Sequence, residues 1–354
     1  MSPFRASHVV ALACLSISAL NAQQTARTPW AMAVHGGAGE SEWEHMDAAT
    51  AAAYHDSLGR SLKAGVEVLR KGGRSLDAVE AAIKVLEDDP LFNAGRGAAF
   101  TAEGKNEMDA SIMEGATLRA GSVAGVAHTK NPITLSRAVM ERSPYVMLAG
   151  PGTDAFAVSI GLPQMPASYF FTEMRWQELL DVLRKRGSPV PMRPAGVPVP
   201  PVHGGSRSSN KPSADHHFGT VGAIARDSHG DLSAGTSTGG MQGKLPGRVG
   251  DSPIIGAATY ASNPWCAVSS TGVGEYFIRL SVAKEICVSI QYRGMSIEQA
   301  ANHVIHDEVA KLKGGEGGVI VMDGKHDPVW SFNTLGMFRA RQVEGRPAQI
   351  EVGH

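Results

Sequence analysis

A proline- and glycine-rich arm that runs straight into a small-residue strand is the feature that most restricts how this chain can fold. From about residue 187 to residue 219 the sequence mixes prolines, glycines, serines and basic residues. Pro200-Pro201 and the run Gly204-Gly205-Ser206-Arg207-Ser208-Ser209-Asn210 cannot form a regular element. Directly after it comes Thr220-Val221-Gly222-Ala223-Ile224-Ala225, and then Asp231-Leu232-Ser233-Ala234-Gly235-Thr236-Ser237-Thr238, both with strand character. A plain interdomain linker need not end on a buried strand. An arm that does so suits a chain cut between Gly219 and Thr220: the arm is released while the strand keeps the new terminus fixed.

The rest of the 354 residues supplies a large core, since 43% are hydrophobic. A net charge of −1 gives no reason to expect nucleic acid or an anionic membrane as partner. Residues 1–22 read as a signal peptide, with Arg5 as the basic head, Val9 to Leu20 as the apolar run and a cut after Ala22. The mature protein is therefore expected outside the cytoplasm, secreted or periplasmic. Of three cysteines, Cys266 and Cys287 survive that cut. Both sit in apolar, strand-like stretches, which favours buried inert thiols. A disulfide is the alternative that an oxidising compartment would allow.

Along the chain, Trp30 to His35 reads as a strand stopping at the loop Gly36-Gly37-Ala38-Gly39. Residues 47–71 and 75 to about 87 read as helices, with Ser75 as the cap of the second. A strand is expected over Glu107–Glu114 and another over Gly121–His128. Helices are expected over Ile133–Arg142 and Thr153–Ile160.

Several blocks, in order, carry a resemblance: VHGGAG, PLFNAGRGAAF, EMDASIM, AGVAHTKNP, FFTEMRW, GTVGAIARDSHGDLSAGTSTGG, MQGKLPGRVGDSPIIGAATYA, SSTGVGEYFIR, GGVIVMD and SFNTLGMFR. Together they resemble the isoaspartyl peptidase/L-asparaginase family of N-terminal-nucleophile hydrolases across nearly all of the chain outside the leader and arm. The resemblance implies an α+β fold, a four-layer αββα sandwich. It also implies an autocleaved chain: an α subunit of residues 23–219 and a β subunit of residues 220–354, forming one structural domain and assembling as a homodimer of αβ units.

The chemistry explains why such a family needs a threonine at a new terminus. A threonine hydroxyl is a weak nucleophile at neutral pH and needs a base. A free α-amine, with an ordinary pKa near 8, can take its proton, so Thr220 becomes nucleophile and base at once. Gly219 permits backbone forms that a side chain would block. Without the surrounding blocks, a Gly-Thr pair before a strand would be an ordinary turn.

The remaining roles follow from the resemblance. Thr238 sits beside the nucleophile, and Asn93 positions its environment, its alternative being an Asx-turn residue. The Thr271 hydroxyl and the Gly272 N–H face the developing oxyanion. Arg248 clamps the substrate α-carboxylate and Asp251 holds its α-ammonium, the alternative being a local surface pair. Gly274 and Gly272 let the loop approach the bound amino acid. Backbone carbonyls of Leu86, Glu87, Asp89, Phe92, Ala94 and Arg96 would surround a structural sodium ion, with no cofactor for catalysis. The histidines, including His216-His217 in the arm, form no zinc pattern, and His35 is read as supporting the glycine loop. The substrate class is N-terminal β-aspartyl dipeptides and L-asparagine. The alternatives are a glycosylasparaginase-type amidase and a secreted binding protein that kept the fold without catalysis. One departure is Gly150-Pro151-Gly152, where the family often has a glutamate between the glycines.

Overall fold

The computed structural model describes residues 27–39, 46–198 and 219–353. The expected leader and most of the arm, with His216 and His217, lie outside these residues. The segment before the arm supplies β1 (Ala31–Ala38), α1 (Ala48–Arg70), α2 (Ser75–Asp88), β2 (Met108–Glu114), β3 (Ala120–Val126), α3 (Pro132–Arg142), β4 (Met147–Ala149), α4 (Pro151–Ser159), α5 (Ala167–Phe170) and α6 (Glu173–Arg186). After Thr220 come β5 (Val221–Arg226), β6 (Leu232–Thr238), β7 (Thr259–Ser262), β8 (Cys266–Gly272), α7 (Gly274–Leu280), α8 (Val282–Arg293), α9 (Ile297–Asn302), β9 (Gly317–Met322), β10 (Val329–Phe332), β11 (Met337–Val343) and β12 (Gln349–Glu351).

Among the described residues these strands form an eight-stranded sheet, β12-β11-β1-β5-β6-β2-β3-β4, and a four-stranded sheet, β10-β9-β8-β7. Helices α1, α2 and α3 cover the outer face of the larger sheet, and α8 and α9 cover the smaller. Strands β1, β5, β6 and β2 face β7, β8 and β9 across the middle. The expected αββα sandwich is what forms. Among the described residues, no helix is long and apolar enough to cross a membrane.

Strand β5 shows how the sequence encodes two buried faces at once. Val221, Ala223 and Ala225 join the core beneath α1 and α2, whereas Ile224 joins the core between the sheets. That inner layer is rich in alanine, including Ala31, Ala33, Ala234, Ala261 and Ala267. Small side chains there let the two sheets approach closely. The same logic makes β1 buried on both faces, with Met32 and Val34 on the helix side.

The order of strands mixes the two parts of the chain. β1 lies between β11 and β5, and β2 pairs with β6. A cut at Gly219-Thr220 therefore leaves two chains joined by antiparallel ladders through the centre of one sheet.

Four local expectations change. β1 does not stop at His35 but continues to Ala38 through a bulge between His35 and Gly37, pairing Ala38 with Met337. Ser75 does not cap α2: it is the first helical residue, and the cap position is Arg74, whose side chain makes no capping bond. The acceptor is distant in sequence, since the Ser75 N–H donates to Asp227 Oδ2 at 2.9 Å. Cys287 lies on helix α8 rather than on a strand. Ala283, Ile286 and Cys287 fall at helical spacing and all enter the core against β8; a three-residue apolar run could not reveal that period. Finally, Cys266 and Cys287 are not inert thiols but a disulfide. Their Cα atoms are 5.6 Å apart, inside the range a bridge requires. The bond ties the helical layer to the smaller sheet. The unusual Gly150-Pro151-Gly152 starts α4, with Pro151 in the first turn, where its missing N–H costs no helical bond.

The disulfide closes a loop of 21 residues of sequence separation. Replacing both cysteines by alanine should therefore lower the unfolding free energy by roughly 3 kcal/mol. Denaturant midpoints of the two proteins under non-reducing conditions check this; equal midpoints would show that the bridge contributes nothing.

Candidate active site

Thr220 stands immediately before β5 and is buried, with 7% of its surface exposed. The register between β5 and β6 pairs Val221 with Ser237, which sets Thr220 beside Thr238 at the strand ends. Accordingly the Thr220 hydroxyl donates to Thr238 Oγ1 at 3.0 Å. The Gly240 N–H donates to the same Thr238 oxygen at 3.0 Å, so that hydroxyl has a fixed direction.

Asn93 closes the rear of this corner. Its Nδ2 donates to Gly240 O at 2.7 Å, and its Oδ1 accepts from the Ala99 N–H at 2.7 Å. It ties two loops together and is not a local Asx turn. A Cβ on Gly219 would fall 2.6 Å from Asn93 Cβ, closer than real side chains come. The residue before the nucleophile is glycine because nothing larger fits.

Thr220, Thr238, Asn93, Arg248, Asp251 and Gly272 line one narrow cavity, completed by Gly240, Met241 and Gly250. Arg248 and Asp251 are brought together there but do not form the surface pair that spacing alone would suggest. Arg248 instead grips Glu275 with two nitrogens: Nε to Oε1 at 3.1 Å, Nη2 to Oε1 at 2.9 Å and Nη2 to Oε2 at 3.0 Å. Glu275 is half-exposed and the guanidinium is not. The fork is thus oriented to hold a carboxylate at the cavity mouth. Asp251 is buried, and its Oδ2 has no hydrogen-bond partner. Burial pushes its carboxyl up to about 7, only partly opposed by its own backbone N–H and by Arg248. Gly274 separates the two charged groups: a Cβ there would lie 2.9 Å from both Arg248 Nη2 and Asp251 Oδ1.

Thr271 is not part of the cavity wall. It is fully buried one residue behind Gly272, and its oxygen accepts from the Ala38 N–H at 3.3 Å. That leaves its own O–H proton to be donated. The bulged end of β1 therefore holds Thr271 in place.

Sequence reasoning missed two features. Glu275 follows Gly274 in the same block, but nothing in the sequence says that Arg248, on a distant loop, points at it. The second is a chain of buried hydroxyls between the sheets. His35 Nε2 lies 3.0 Å from Ser269 Oγ, which lies 2.8 Å from Thr236 Oγ1. The Thr259 hydroxyl donates to Thr236 at 2.6 Å, and Ser111 reaches both Thr259 and the Ser252 carbonyl. Burial pushes His35 down to about 3, so the ring is neutral. His35 supports this inter-sheet chain rather than the glycine loop.

Among the described residues, no group of three or more His, Cys, Asp or Glu is placed to hold a metal ion. At the end of α2 and in the loop after it, the carbonyls of Leu86, Asp89 and Ala94 accept turn bonds from the N–H groups of Asp89, Phe92 and Gly97. Each keeps a second acceptor position. A roomier cleft of about 930 Å³ backs onto the Arg248 loop through Gly247 and Val249, but Thr220, Thr238 and Asp251 do not line it.

The asparaginase family model matches residues 28–352. The chain is 42% identical to the isoaspartyl peptidase of Escherichia coli (strain K12), over 87% of this chain and 91% of that protein. It is 39% identical to a probable isoaspartyl peptidase/L-asparaginase of Arabidopsis thaliana, over 89% and 96%. It is 37% identical to the isoaspartyl peptidase/L-asparaginase of Homo sapiens, over 82% and 87%.

The raised carboxyl of Asp251 gives a signed prediction. Its folded-state pKa of about 7 exceeds the unfolded value of 3.8. The neutral acid is the form that folding favours, so stability is lost as pH rises from about 4 through about 7. Asp251→Asn should leave stability unchanged at pH 4 and raise it at pH 8, on the order of a few kcal/mol. Chemical denaturation at both pH values measures this. An Asn variant no more stable at pH 8 would show that the carboxylate is already compensated.

Proposed function

The chain belongs to the isoaspartyl peptidase/L-asparaginase family of N-terminal-nucleophile hydrolases, and on that premise we propose that it is a self-cleaving threonine amidohydrolase that acts on N-terminal β-aspartyl dipeptides and on L-asparagine. The observation that carries the reading is the join of nucleophile and clamp. The Thr220 hydroxyl, 3.0 Å from Thr238, shares one cavity with an oriented guanidinium and a desolvated carboxylate.

Maturation comes first. The Thr220 hydroxyl attacks the Gly219 carbonyl carbon, the C–N bond breaks, and the nitrogen takes the hydroxyl proton. Water hydrolyses the resulting ester, leaving a carboxylate on Gly219 and a free amine on Thr220. The products are the α subunit of residues 23–219 and the β subunit of residues 220–354. In turnover the same hydroxyl attacks the side-chain carbonyl of the aspartyl group while the Thr220 amine accepts its proton. Thr238, already accepting from Thr220, keeps the oxygen directed. The Thr271 hydroxyl and the Gly272 N–H receive the developing oxyanion, interactions stronger in the transition state than in the ground state. The amine then returns its proton to the leaving nitrogen, and water hydrolyses the aspartyl ester.

Both substrates share an α-carboxylate and an α-ammonium on the aspartyl group. Arg248 suits the first, since its planar fork already holds both oxygens of a carboxylate, Nε on Oε1 and Nη2 on Oε2. That carboxylate belongs to Glu275, which the substrate displaces. Asp251 suits the second: a bound ammonium supplies the opposite charge that its buried Oδ2 lacks. Gly274 keeps the gap between them open for the substrate backbone.

Further parts of the reading lie outside the cavity. As the family resemblance implies, the carbonyls of Leu86, Glu87, Asp89, Phe92, Ala94 and Arg96 would hold a hard monovalent cation such as sodium, which would brace the loop that carries Asn93. The αβ units assemble as a homodimer, as the family resemblance implies. The mature protein works outside the cytoplasm, a reading that rests on residues 1–22 and is supported by the Cys266–Cys287 disulfide.

Two measurements test the reaction. Fresh protein should convert without added protease into two fragments, the second beginning at Thr220, and Thr220→Ala should stay one folded, inactive chain. A different first residue, or a need for a protease, would sink self-cleavage. In addition, kcat/KM for β-aspartyl-leucine should fall strongly on N-acetylation, because the acetylated substrate leaves Asp251 desolvated and unpaired. Arg248→Ala should damage turnover while the Gly219-Thr220 cut proceeds. Equal efficiency on free and acetylated peptides would refute the ammonium site.

A further inference from the structure

The FFTEMRW block contributes a residue that none of the chemistry above uses. Arg175 is the third residue of α6, where its N–H donates to the capping Thr172 hydroxyl at 3.2 Å. Its neighbour Trp176 anchors that end of the helix, meeting Phe100 edge-on at 5.4 Å and Phe171 at 5.7 Å. The Arg175 side chain turns the other way, into the protein, and is 8% exposed. Its Nε donates to Gly97 O at 3.1 Å and its Nη1 to Glu178 Oε2 at 3.0 Å. Nη2 extends past a 3.5 Å contact with Leu91 O and ends beside Gly219, 3.5 Å from where a Cβ on that glycine would sit. Asn93 presses on the same glycine. The residue whose carbonyl is attacked in maturation therefore has Asn93 against one side and, beside it, the Nη2 end of a buried guanidinium whose Nη1 is paired with Glu178.

Covalent geometry sets the range. A Cβ and a carbonyl carbon on one Cα are about 2.5 Å apart. Nη2 thus lies within roughly 6 Å of the carbon under attack, by adding that distance to the measured 3.5 Å. Attack by Thr220 Oγ moves negative charge onto the Gly219 oxygen. A cation fixed at that range, away from bulk water, stabilises that charge without having to reorganise. The interaction belongs to the precursor, since in turnover the attacked carbonyl is the substrate's.

We propose that Arg175 is a positioning residue for self-cleavage, orienting Gly219 and countering the charge that forms on its carbonyl oxygen, and that it has no part in substrate turnover. The step needs only water, as described above: Oγ bonds to carbon, the C–N bond breaks, and the proton passes from oxygen to nitrogen. This inference rests on the proposed maturation. If wild-type protein does not cut at Gly219-Thr220, that reading fails; if it cuts but Arg175 variants cut equally fast, only the present inference fails.

The experiment follows intact mass over time for wild type, Arg175→Met and Arg175→Lys, and then measures kcat and KM on the matured fraction of each. Methionine keeps much of the volume and loses the charge; lysine keeps the charge and loses the fork. Maturation should slow at least ~10-fold in Arg175→Met, an effect of the size expected when a transition-state charge partner is removed. It should slow less in Arg175→Lys, with kcat and KM per matured site at wild-type values in both. A merely structural role would instead lower kcat together with the maturation rate, and that result overturns the proposal. So does wild-type maturation in either variant that folds. Should the methionine variant not fold, the lysine variant decides by the same split.

Discussion

Everything in the site depends on the two-sided pairing of β5. A chain end is ordinarily a poor place to fix a reactive group, because termini fray. Here the prospective terminus leads directly into a strand hydrogen-bonded to β1 on one side and β6 on the other. Every residue of that strand is buried. The register His35 opposite Gly222, and Val221 opposite Ser237, fixes where Thr220 emerges. A slip of one residue would turn each side chain to the opposite face and carry the hydroxyl away from Thr238. Because β1 precedes the arm and β6 follows it, a cut of the kind proposed would leave two chains that hold each other's strands, with the terminus still anchored.

The same framework lets the site carry charge that would otherwise be costly. A buried carboxylate without a partner is expensive, and folding opposes its ionisation. Asp251 is held in that state by the Arg248–Asp251 loop on one side and the β8–α7 turn on the other, with Gly274 between them. Behind it, the Ser111 hydroxyl donates toward both the Ser252 carbonyl and Thr259 Oγ1, so the loop is tied to the hydroxyl chain that also reaches His35. These bonds run between sheets whose apolar contact layer is rich in alanine. Directional polar bonds supply the registry that small apolar side chains cannot. On the proposed reading, a bound ammonium would supply the charge that favours ionised Asp251, which burial otherwise opposes.

Much of this was legible in the sequence because it rests on local order along the chain. The arm and the strand after it marked Thr220, and the order of blocks carried the fold and the residues that share its cavity, Asn93, Thr238, Arg248, Asp251 and Gly272. What the sequence hid is everything that depends on a partner far away. Ser75 looked like a helix cap because its own side chain is of the right type; the actual acceptor, Asp227, arrives from 152 residues away. Cys287 looked like part of a strand because a run of three residues has no measurable period, and its bond to Cys266 required the helix to lie on β8. Glu275 stands next to a residue identified as important, yet its grip on Arg248 exists only once two loops meet. His35 was assigned to the nearest glycine loop, whereas its ring faces the second sheet.

One constraint connects maturation with access to the site. Gly219 occupies the space against Asn93, and Asn93 lines the substrate cavity together with Thr220. While the peptide bond is intact, the Thr220 nitrogen is an amide that cannot act as a base, and the residue before it fills one wall of the corner. The proposed hydrolysis would remove both obstacles, since it would make the amine and free Gly219 from covalent attachment to Thr220. A larger residue at 219 could not relieve this by opening the corner, because it would strike Asn93, whose two short hydrogen bonds hold the loops on either side. Glycine is required at that position by the packing of the precursor as much as by the chemistry of the cut.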